Sequence, residues 1–150
     1  MKPFILIICL NILTVAAFAQ KQKVRPFNTR GKDTVTLANG LKYIICQKGT
    51  GKQAVKGDKV KVHYTGYLLD GSIFDSSVQN NSPFKFILGA GKVIRGWDEG
   101  IALMSEGDKF RFIIPPVLGY GTRGAKDSDG NYVISPNSTL IFDVELIQVK

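Results

Sequence analysis

Residues 59–68, KVKVHYTGYL, alternate strictly between two kinds of side chain. Val60, Val62 and Tyr64 fall on one side of this segment, and lysine, histidine and threonine fall on the other. A period of two is typical of a strand with one buried face and one face in water. Such strands belong to antiparallel sheets, because strands of parallel sheets are buried on both faces.

The same alternation recurs along the chain. Residues 84–88, FKFIL, and 109–114, KFRFII, are predicted to be strands, and residues 139–149, TLIFDVELIQV, again place their apolar side chains on one side. Residues 41–46, LKYIIC, are predicted to form a first strand. Glycine-rich turns separate these segments, which predicts a sheet of short strands.

Only one segment departs from the period of two. Ile94, Trp97, Ile101 and Met104 recur at steps of three, four and three, which is one face of a short helix. The helix is expected to end near Gly107, because glycine readily adopts the left-handed conformation of a helix end. The predicted fold class is therefore α+β, an antiparallel sheet with one short helix on its apolar face.

The first nineteen residues have the three-part pattern of a secretory signal peptide. Lys2 precedes an apolar run at residues 4–18, and Ala17-Phe18-Ala19 supplies a small-x-small cleavage site. The run is shorter than the roughly 20 residues that a spanning helix needs, so no stable membrane span is expected after cleavage. An exported protein, periplasmic or secreted, is predicted, and an uncleaved leader acting as a membrane tether is the alternative.

Residues 20–35 are predicted to be a basic flexible linker, and residues 36–150 the folded domain. The formal net charge of the whole chain is +8, and no nucleic-acid-binding motif or interleaved aromatic pattern accompanies it, so no nucleic-acid partner is expected. Removing residues 1–19 leaves Cys46 as the last cysteine, so the domain has no internal disulfide and depends on packing. The cations of the linker are Lys21, Lys23, Arg25, Arg30 and Lys32.

Two loops carry candidate functional residues. Phe74 and Asp75 follow an Asp70-Gly71 turn, which brings one ring and one carboxylate together beside a sheet edge. Residues 115–138 form a long loop for so small a domain and carry Tyr120, and long loops in compact domains are usually functional or disordered.

Other motifs have simpler explanations. GYGTRG at residues 119–124 matches a dinucleotide-binding pattern, but no parallel strand-helix-strand unit surrounds it. DSDGN at residues 127–131 resembles a calcium loop, yet its glycine comes too early and the closing glutamate is missing. His63 is the only histidine and lies on the polar side of its strand, so a plain surface role is expected. No metal and no cofactor are predicted.

Three stretches together resemble the FKBP-type peptidyl-prolyl isomerase domain, in order and with the expected spacing. They are VKVHYTGYLLDGSIFDSS, PFKFILGAGKVIRGWDEGIALMSEGDKFRFIIPPVLGYG and ISPNSTLIFDVEL, and the resemblance runs from about Gly40 to the C-terminus. It implies an antiparallel half-barrel sheet wrapped around the short helix, with an apolar pocket between them.

The resemblance also implies cofactor-independent cis–trans isomerisation of X-Pro bonds in unfolded or folding polypeptides, and binding of macrolide ligands. The pocket would stabilise a twisted X-Pro amide, and the enzyme would assist the folding of exported proteins. Trp97 would be its floor and Phe86 a deeper wall or a core residue, while the Ile94 amide would hold a substrate carbonyl. The implied catalytic residues are Asp75, Tyr120, Trp97 and Phe74, and the implied substrate-binding residues are Tyr64, Phe84, Val93, Ile94, Ile134 and Phe142.

The chain departs from the usual pattern of that family between Tyr120 and Ile134, where the loop is longer and more charged and is expected to cover the pocket rim. Ser135 also stands where proline is common. Two other functions remain open at this point. One is a chaperone-like module that holds chains in the same pocket, and the other is an interaction domain tethered by an uncleaved leader.

Overall fold

The computed structural model describes residues 22–150, so the predicted signal peptide lies outside the described residues. Among the described residues, no helix has the length and apolar character needed to cross a bilayer. The elements, in chain order, are β1 Thr34–Thr36, β2 Lys42–Gln47, β3 Lys59–Tyr67, β4 Ile73–Ser76, β5 Phe84–Ile87, α1 Arg95–Ile101, β6 Lys109–Ile114, a 3-10 helix Pro116–Leu118, β7 Ala125–Lys126, β8 Tyr132–Ile134 and β9 Leu140–Val149.

Within residues 22–150 one seven-stranded sheet has the order β1-β2-β6-β9-β3-β4, and β5 pairs with β3 beside this path. The pairings in this sheet are antiparallel, as is the separate β7-β8 hairpin. The longest pairing joins β3 to β9, from Val60 opposite Val149 to Tyr67 opposite Ile141. The predicted α+β fold, an antiparallel sheet with one short helix, is confirmed.

Helix α1 packs closely on the inner face of the sheet because two of its residues are glycines. A Cβ atom at Gly96 would lie 2.7 Å from the side chain of Ile114, and one at Gly100 would lie 2.7 Å from the ring of Phe112. The missing side chains let the helix backbone approach β6. Trp97, between these glycines, is only 5% exposed and is held against the sheet.

The helix is shorter than the sequence predicted. It ends at Ile101, and the amides of Leu103 and Met104 then bond to the carbonyls of Gly100 and Ile101 in a tighter turn. Met104 is still fully buried, so the apolar spacing reflects burial beyond the end of the helix. Gly107 has a φ of +95°, but this conformation serves the turn into β6 rather than the helix end.

Residues 22–33, called the N-terminal segment below, contact the outer face of the sheet. The Phe27 amide donates to Asp143 Oδ2 at 2.8 Å, and the guanidinium of Arg111 donates to both oxygens of the same carboxylate at 2.7 and 2.8 Å. The Lys109 ammonium lies 5.8 Å from the centre of the Phe27 ring. Asp143 is 2% exposed, so its charge is compensated inside the fold.

Candidate functional site

Aromatic side chains from β3, β4, β5, α1 and β9 meet between the helix and the sheet. The Trp97 ring lies 4.9 Å from Tyr64 and 5.3 Å from Phe142, both nearly perpendicular to it. Edge-to-face contacts of this kind are a preferred aromatic geometry, so the rings fix one another. The Trp97 indole nitrogen has no hydrogen-bond partner among the described residues, which marks apolar surroundings. This aromatic cluster consists of Tyr64, Phe74, Phe84, Phe86, Trp97 and Phe142.

Gly66 makes room for two rings of the aromatic cluster. It pairs with Phe142 across β3 and β9, and a Cβ atom at this position would lie 2.5 Å from the Phe74 ring and 2.9 Å from the Phe142 ring. Real Cβ atoms essentially never lie this close to a heavy atom to which they are not bonded, so any residue larger than glycine would displace both rings. Glycine inside a strand often marks such a close approach.

A bulge in β4 explains how Phe74 and Asp75 reach the same side of the sheet. Gly66 pairs with Asp75 and the next residue of β3, Tyr67, pairs with Ile73, so Phe74 is the extra residue. Neighbouring residues of a regular strand point to opposite faces, and a bulge breaks this alternation. Phe74 packs on Phe142 at 5.4 Å while Asp75 contacts another member of the cluster.

The Asp75 carboxylate is tied directly to the aromatic cluster. The Tyr64 hydroxyl donates to Asp75 Oδ2 at 2.5 Å, a short charge-assisted hydrogen bond. Burial raises the pKa of Asp75, and the hydrogen bonds from the Tyr64 hydroxyl and the Ser76 amide offset part of this increase. The carboxylate is thus a polar group held at the wall of an otherwise apolar site.

Tyr120 lies near Asp75, after the 3-10 helix that follows β6. It is half-buried and packs against the core. Burial, followed by the negative charge of Asp75, raises the pKa of the Tyr120 hydroxyl. A phenol whose pKa is at or above its ordinary value of 10.0 is protonated at neutral pH, so this hydroxyl can donate a hydrogen bond.

Val93 and Ile94 reach the site from the loop between β5 and α1. Val93 is buried and Ile94 is half-buried, and both pack against the core that contains the aromatic cluster. The Ile94 carbonyl accepts the amides of Trp97 and Asp98 in the first helical turn. Within residues 22–150 the Ile94 amide itself makes no hydrogen bond, so it is a free backbone donor beside the cluster.

The predicted site residues differ in depth. Trp97 and Phe142 are almost completely buried, whereas Tyr64, Phe74, Phe84, Ile94 and Tyr120 keep part of their surface exposed. This arrangement gives a floor and a rim.

Ile134 is fully buried in the hydrophobic core and pairs with Ala125 in the β7-β8 hairpin. The structure thus brings the other predicted residues together around the cluster and places Ile134 inside the core.

The long charged loop forms a hairpin rather than an irregular segment. The amides of Asp129 and Asn131 donate to the Asp127 carboxylate at its turn. The Lys126 ammonium lies 4.6 Å from the centre of the Tyr132 ring, a cation–π contact. The DSDGN stretch is accordingly a turn stabilised by its own first aspartate.

The site suits binding chemistry rather than bond cleavage. Among the described residues it offers an apolar floor, the Asp75 carboxylate, the phenols of Tyr64 and Tyr120, and the free backbone amide of Ile94. No group of three or more His, Cys, Asp or Glu side chains in residues 22–150 is arranged to hold a metal ion. His63 is half-buried, with Nδ1 2.9 Å from Ser77 Oγ, a contact that the sequence did not indicate.

Several known proteins are similar to this chain in sequence. The family model described as FKBP-type peptidyl-prolyl cis-trans isomerase matches residues 50–147. The chain is 48% identical over 128 residues to a probable FKBP-type peptidyl-prolyl cis-trans isomerase of Haemophilus influenzae, covering 85% of this chain and 50% of that protein. It is 52% identical over 103 residues to an FK506-binding protein of Neisseria meningitidis serogroup A, covering 69% of this chain and 90% of that one.

Solved structures give the same result. AtFKBP13 superimposes with a TM-score of 0.75 at 40% identity, over 79% of this chain and 99% of that one. FkpA from Escherichia coli gives a TM-score of 0.68 at 41% identity, over 78% of this chain and 51% of that one. The chain therefore spans about half of some relatives and nearly all of others. The predicted family is confirmed: this chain belongs to the FKBP-type peptidyl-prolyl cis-trans isomerases.

Proposed function

We propose that this chain is exported and accelerates the cis–trans isomerisation of X-Pro bonds in folding polypeptides by stabilising a twisted amide on the aromatic cluster. The observation that carries the proposal is the geometry of Trp97, whose indole lies between near-perpendicular rings of Tyr64 and Phe142. A flat apolar floor with fixed walls matches the size and character of a proline ring.

The reaction requires no nucleophile. Rotation about the X-Pro bond faces a barrier of about 18–20 kcal/mol, because the amide loses its partial double-bond character at the perpendicular geometry. The planar amide is the more charge-separated and better hydrated form. An apolar site that excludes water therefore disfavours the planar form relative to the twisted one, which is differential binding of the transition state.

Two hydrogen-bond donors orient the substrate in this proposal, and one carboxylate orients a ring of the aromatic cluster. The Ile94 amide donates to the substrate carbonyl next to the proline, and the Tyr120 hydroxyl donates at the rim. The position of Tyr120, half-buried against the core and close to Asp75, supports this role. Asp75 accepts a hydrogen bond from the Tyr64 hydroxyl and holds the Tyr64 ring nearly perpendicular to Trp97. Phe74, Phe84, Val93 and Phe142 form the walls, and the buried Ile134 supports them from within the core.

The export proposal rests on the sequence of residues 1–19 and agrees with the chemistry. Uncatalysed X-Pro isomerisation takes about 10–100 s at 25 °C, slow enough to limit folding of a newly exported chain. Mass measurement of the mature protein tests cleavage, and a mature chain that begins at Gln20 is expected. A mature chain that retains residues 1–19 would contradict cleavage and favour the membrane tether.

The activity is tested by following cis-to-trans relaxation of short X-Pro peptides in the cold, with and without the macrolide FK506. We expect acceleration that FK506 abolishes. Acceleration that FK506 leaves unchanged would support the enzyme and indicate that the β7-β8 hairpin has altered the rim. A folded protein that produces no acceleration would contradict the proposal and favour the chaperone-like module.

A further inference from the structure

The loop at residues 88–94 joins β5 to α1 and carries Val93 and Ile94 into the site. Its own sequence provides little rigidity, because two of its residues are the glycines Gly89 and Gly91, with φ values of +76° and +68°. Glycine has the greatest backbone freedom to lose on folding. Residues 90–92 are also exposed, so packing does not hold the middle of the loop.

One carboxylate fastens this loop to the helix. Asp98 Oδ1 accepts the amide of Gly89 at 2.8 Å, and Asp98 Oδ2 accepts the amide of Gly91 at 3.1 Å. Hydrogen bonds from backbone amides to a carboxylate are among the stronger ones in proteins. Each oxygen therefore holds one of the two glycines of the loop.

Asp98 also follows Trp97 directly in α1. Neighbouring residues of a helix point about 100° apart, so Trp97 can face the sheet while Asp98 faces the loop. The floor of the site and the anchor of its loop are thus consecutive residues on one helix. Movement of the loop relative to the indole would require breaking both Asp98 hydrogen bonds.

We propose that Asp98 is a positioning residue for X-Pro isomerisation. It holds residues 88–94 so that the Ile94 amide and the Val93 side chain meet the substrate without further ordering. The inference rests on the proposed function, because it assigns a purpose to the donor beside the aromatic cluster. If Asp98 were absent, the loop would lose conformational freedom each time a substrate bound, and that cost would weaken binding.

Glu99 provides a matched control. It is also acidic and lies on the same helix, but its carboxylate contacts the side chains of Arg95 and Asn39 and not the loop. Asp98→Ala and Glu99→Ala remove the same charge from adjacent positions. Only Asp98→Ala should change KM and the affinity for FK506.

The test uses the full chain and its Asp98→Ala, Asp98→Glu and Glu99→Ala variants. Asp98→Ala is expected to raise both KM for an X-Pro peptide and the dissociation constant for FK506 by about tenfold, with little change in kcat. The entropic cost of ordering about one additional residue on binding is enough to account for this factor. Asp98→Glu keeps both acceptor oxygens and should recover part of the loss. Amide hydrogen exchange at Gly89 and Gly91 should become faster in Asp98→Ala alone.

Two results would overturn the inference. One is wild-type KM and FK506 affinity in an Asp98→Ala variant whose Gly89 and Gly91 amides exchange faster, since loop order would then be irrelevant to binding. The other is unchanged exchange at these amides, since Asp98 would then not hold the loop. If Asp98→Ala does not fold, Asp98→Asn, which keeps one acceptor oxygen, takes its place under the same criteria. A wild-type chain that neither catalyses nor binds FK506 would remove the proposed function and this inference with it.

Discussion

Asp75 is the carboxylate that contacts the aromatic cluster. It shares a short hydrogen bond with Tyr64, yet burial is the larger influence and raises the pKa of its carboxyl above the ordinary value of 3.8. A group whose pKa is raised in the folded state stays protonated up to a higher pH than it does in the unfolded chain. Its stabilising contribution is therefore complete below the unfolded pKa and is lost as pH rises through the folded pKa.

A comparison of the wild type with Asp75→Asn tests this sign. The asparagine side chain cannot ionise, but its amide oxygen can still accept a hydrogen bond from the Tyr64 hydroxyl. The free energy of unfolding of the variant, relative to the wild type, should rise as pH increases from about 3 and then level off once Asp75 is ionised in both states. Chemical denaturation across this range measures the difference. A difference that stays flat, or that falls with pH, would contradict a raised pKa.

The same carboxylate should matter for turnover. Asp75→Ala removes the hydrogen bond between the Tyr64 hydroxyl and Asp75, and a hydrogen bond to a charged group contributes about 1.5–3 kcal/mol. The value of kcat/KM should fall by about tenfold or more, since each 1.36 kcal/mol corresponds to a factor of ten. Circular dichroism would establish that the variant is folded. A folded variant with wild-type kcat/KM would contradict a role for Asp75.

At the scale of elements, the contact between β3, β4 and β9 creates the wall of the site. The bulge at Phe74 turns two consecutive residues of β4 inward, and Gly66 leaves the space that the rings occupy. The alternation in β9 then places Phe142 inside the cluster and Asp143 on the outer face. Wall geometry therefore depends on a glycine that touches no substrate.

Gly66→Ala tests this dependence. The new methyl group would force the Phe74 and Phe142 rings apart, and overpacking of this kind costs about 1–3 kcal/mol. Activity should fall strongly in the folded variant. Gly71→Ala is the control, because Gly71 has a φ of +86° but no atom within 4 Å of the added Cβ. It should lose stability and keep its activity. Equal activity in both variants would refute the role of Gly66 in shaping the wall.

Local periodicity predicted that these strands and the helix exist, but it did not predict where the helix ends or where a strand bulges. Residues 59–68 alternate because β3 has one face on the helix, and the observed strand is Lys59–Tyr67. The early end of α1 could not be predicted, since Met104 is buried in a turn and keeps the helical spacing by coincidence. The Phe74 bulge was also missed, because it is defined by the register of a partner strand.

At the scale of the whole molecule, the N-terminal segment extends the fold across the outer face of the sheet. Asp143 would be a buried charge with one partner if the Phe27 amide did not donate to it. Sequence periodicity offered no sign of this contact, which joins residues 116 positions apart. The role of Asp98 was hidden for the same reason, since hydrogen bonds from Gly89 and Gly91 leave no pattern in the sequence. Periodicity alone indicated that Trp97 faces the same side as Tyr64, Phe86 and Phe142, whereas the role of these rings in a site came only from the resemblance to a family.

Deleting residues 22–33 tests the structural contribution of the N-terminal segment. Loss of the Phe27 hydrogen bond to a buried carboxylate should lower the free energy of unfolding by about 1–3 kcal/mol. Activity at low temperature should be unchanged, because the segment lies on the face opposite Trp97. Denaturation curves and peptide assays on the same preparation measure both. A deletion without effect on stability would indicate that the segment is only a linker, as the sequence suggested.

In the proposed mechanism, the indole of Trp97 is the surface on which the amide twists. The most direct test is kcat/KM for an X-Pro peptide, measured in the cold for wild type, Trp97→Phe and Trp97→Leu, with folding verified by circular dichroism. A smaller ring or a branched chain leaves a cavity, and complete truncation of a buried tryptophan costs about 3–5 kcal/mol, so these milder variants should remain folded. The account predicts a graded loss, with Trp97→Leu reduced by about tenfold or more. Wild-type kcat/KM in a folded Trp97→Leu variant would contradict it.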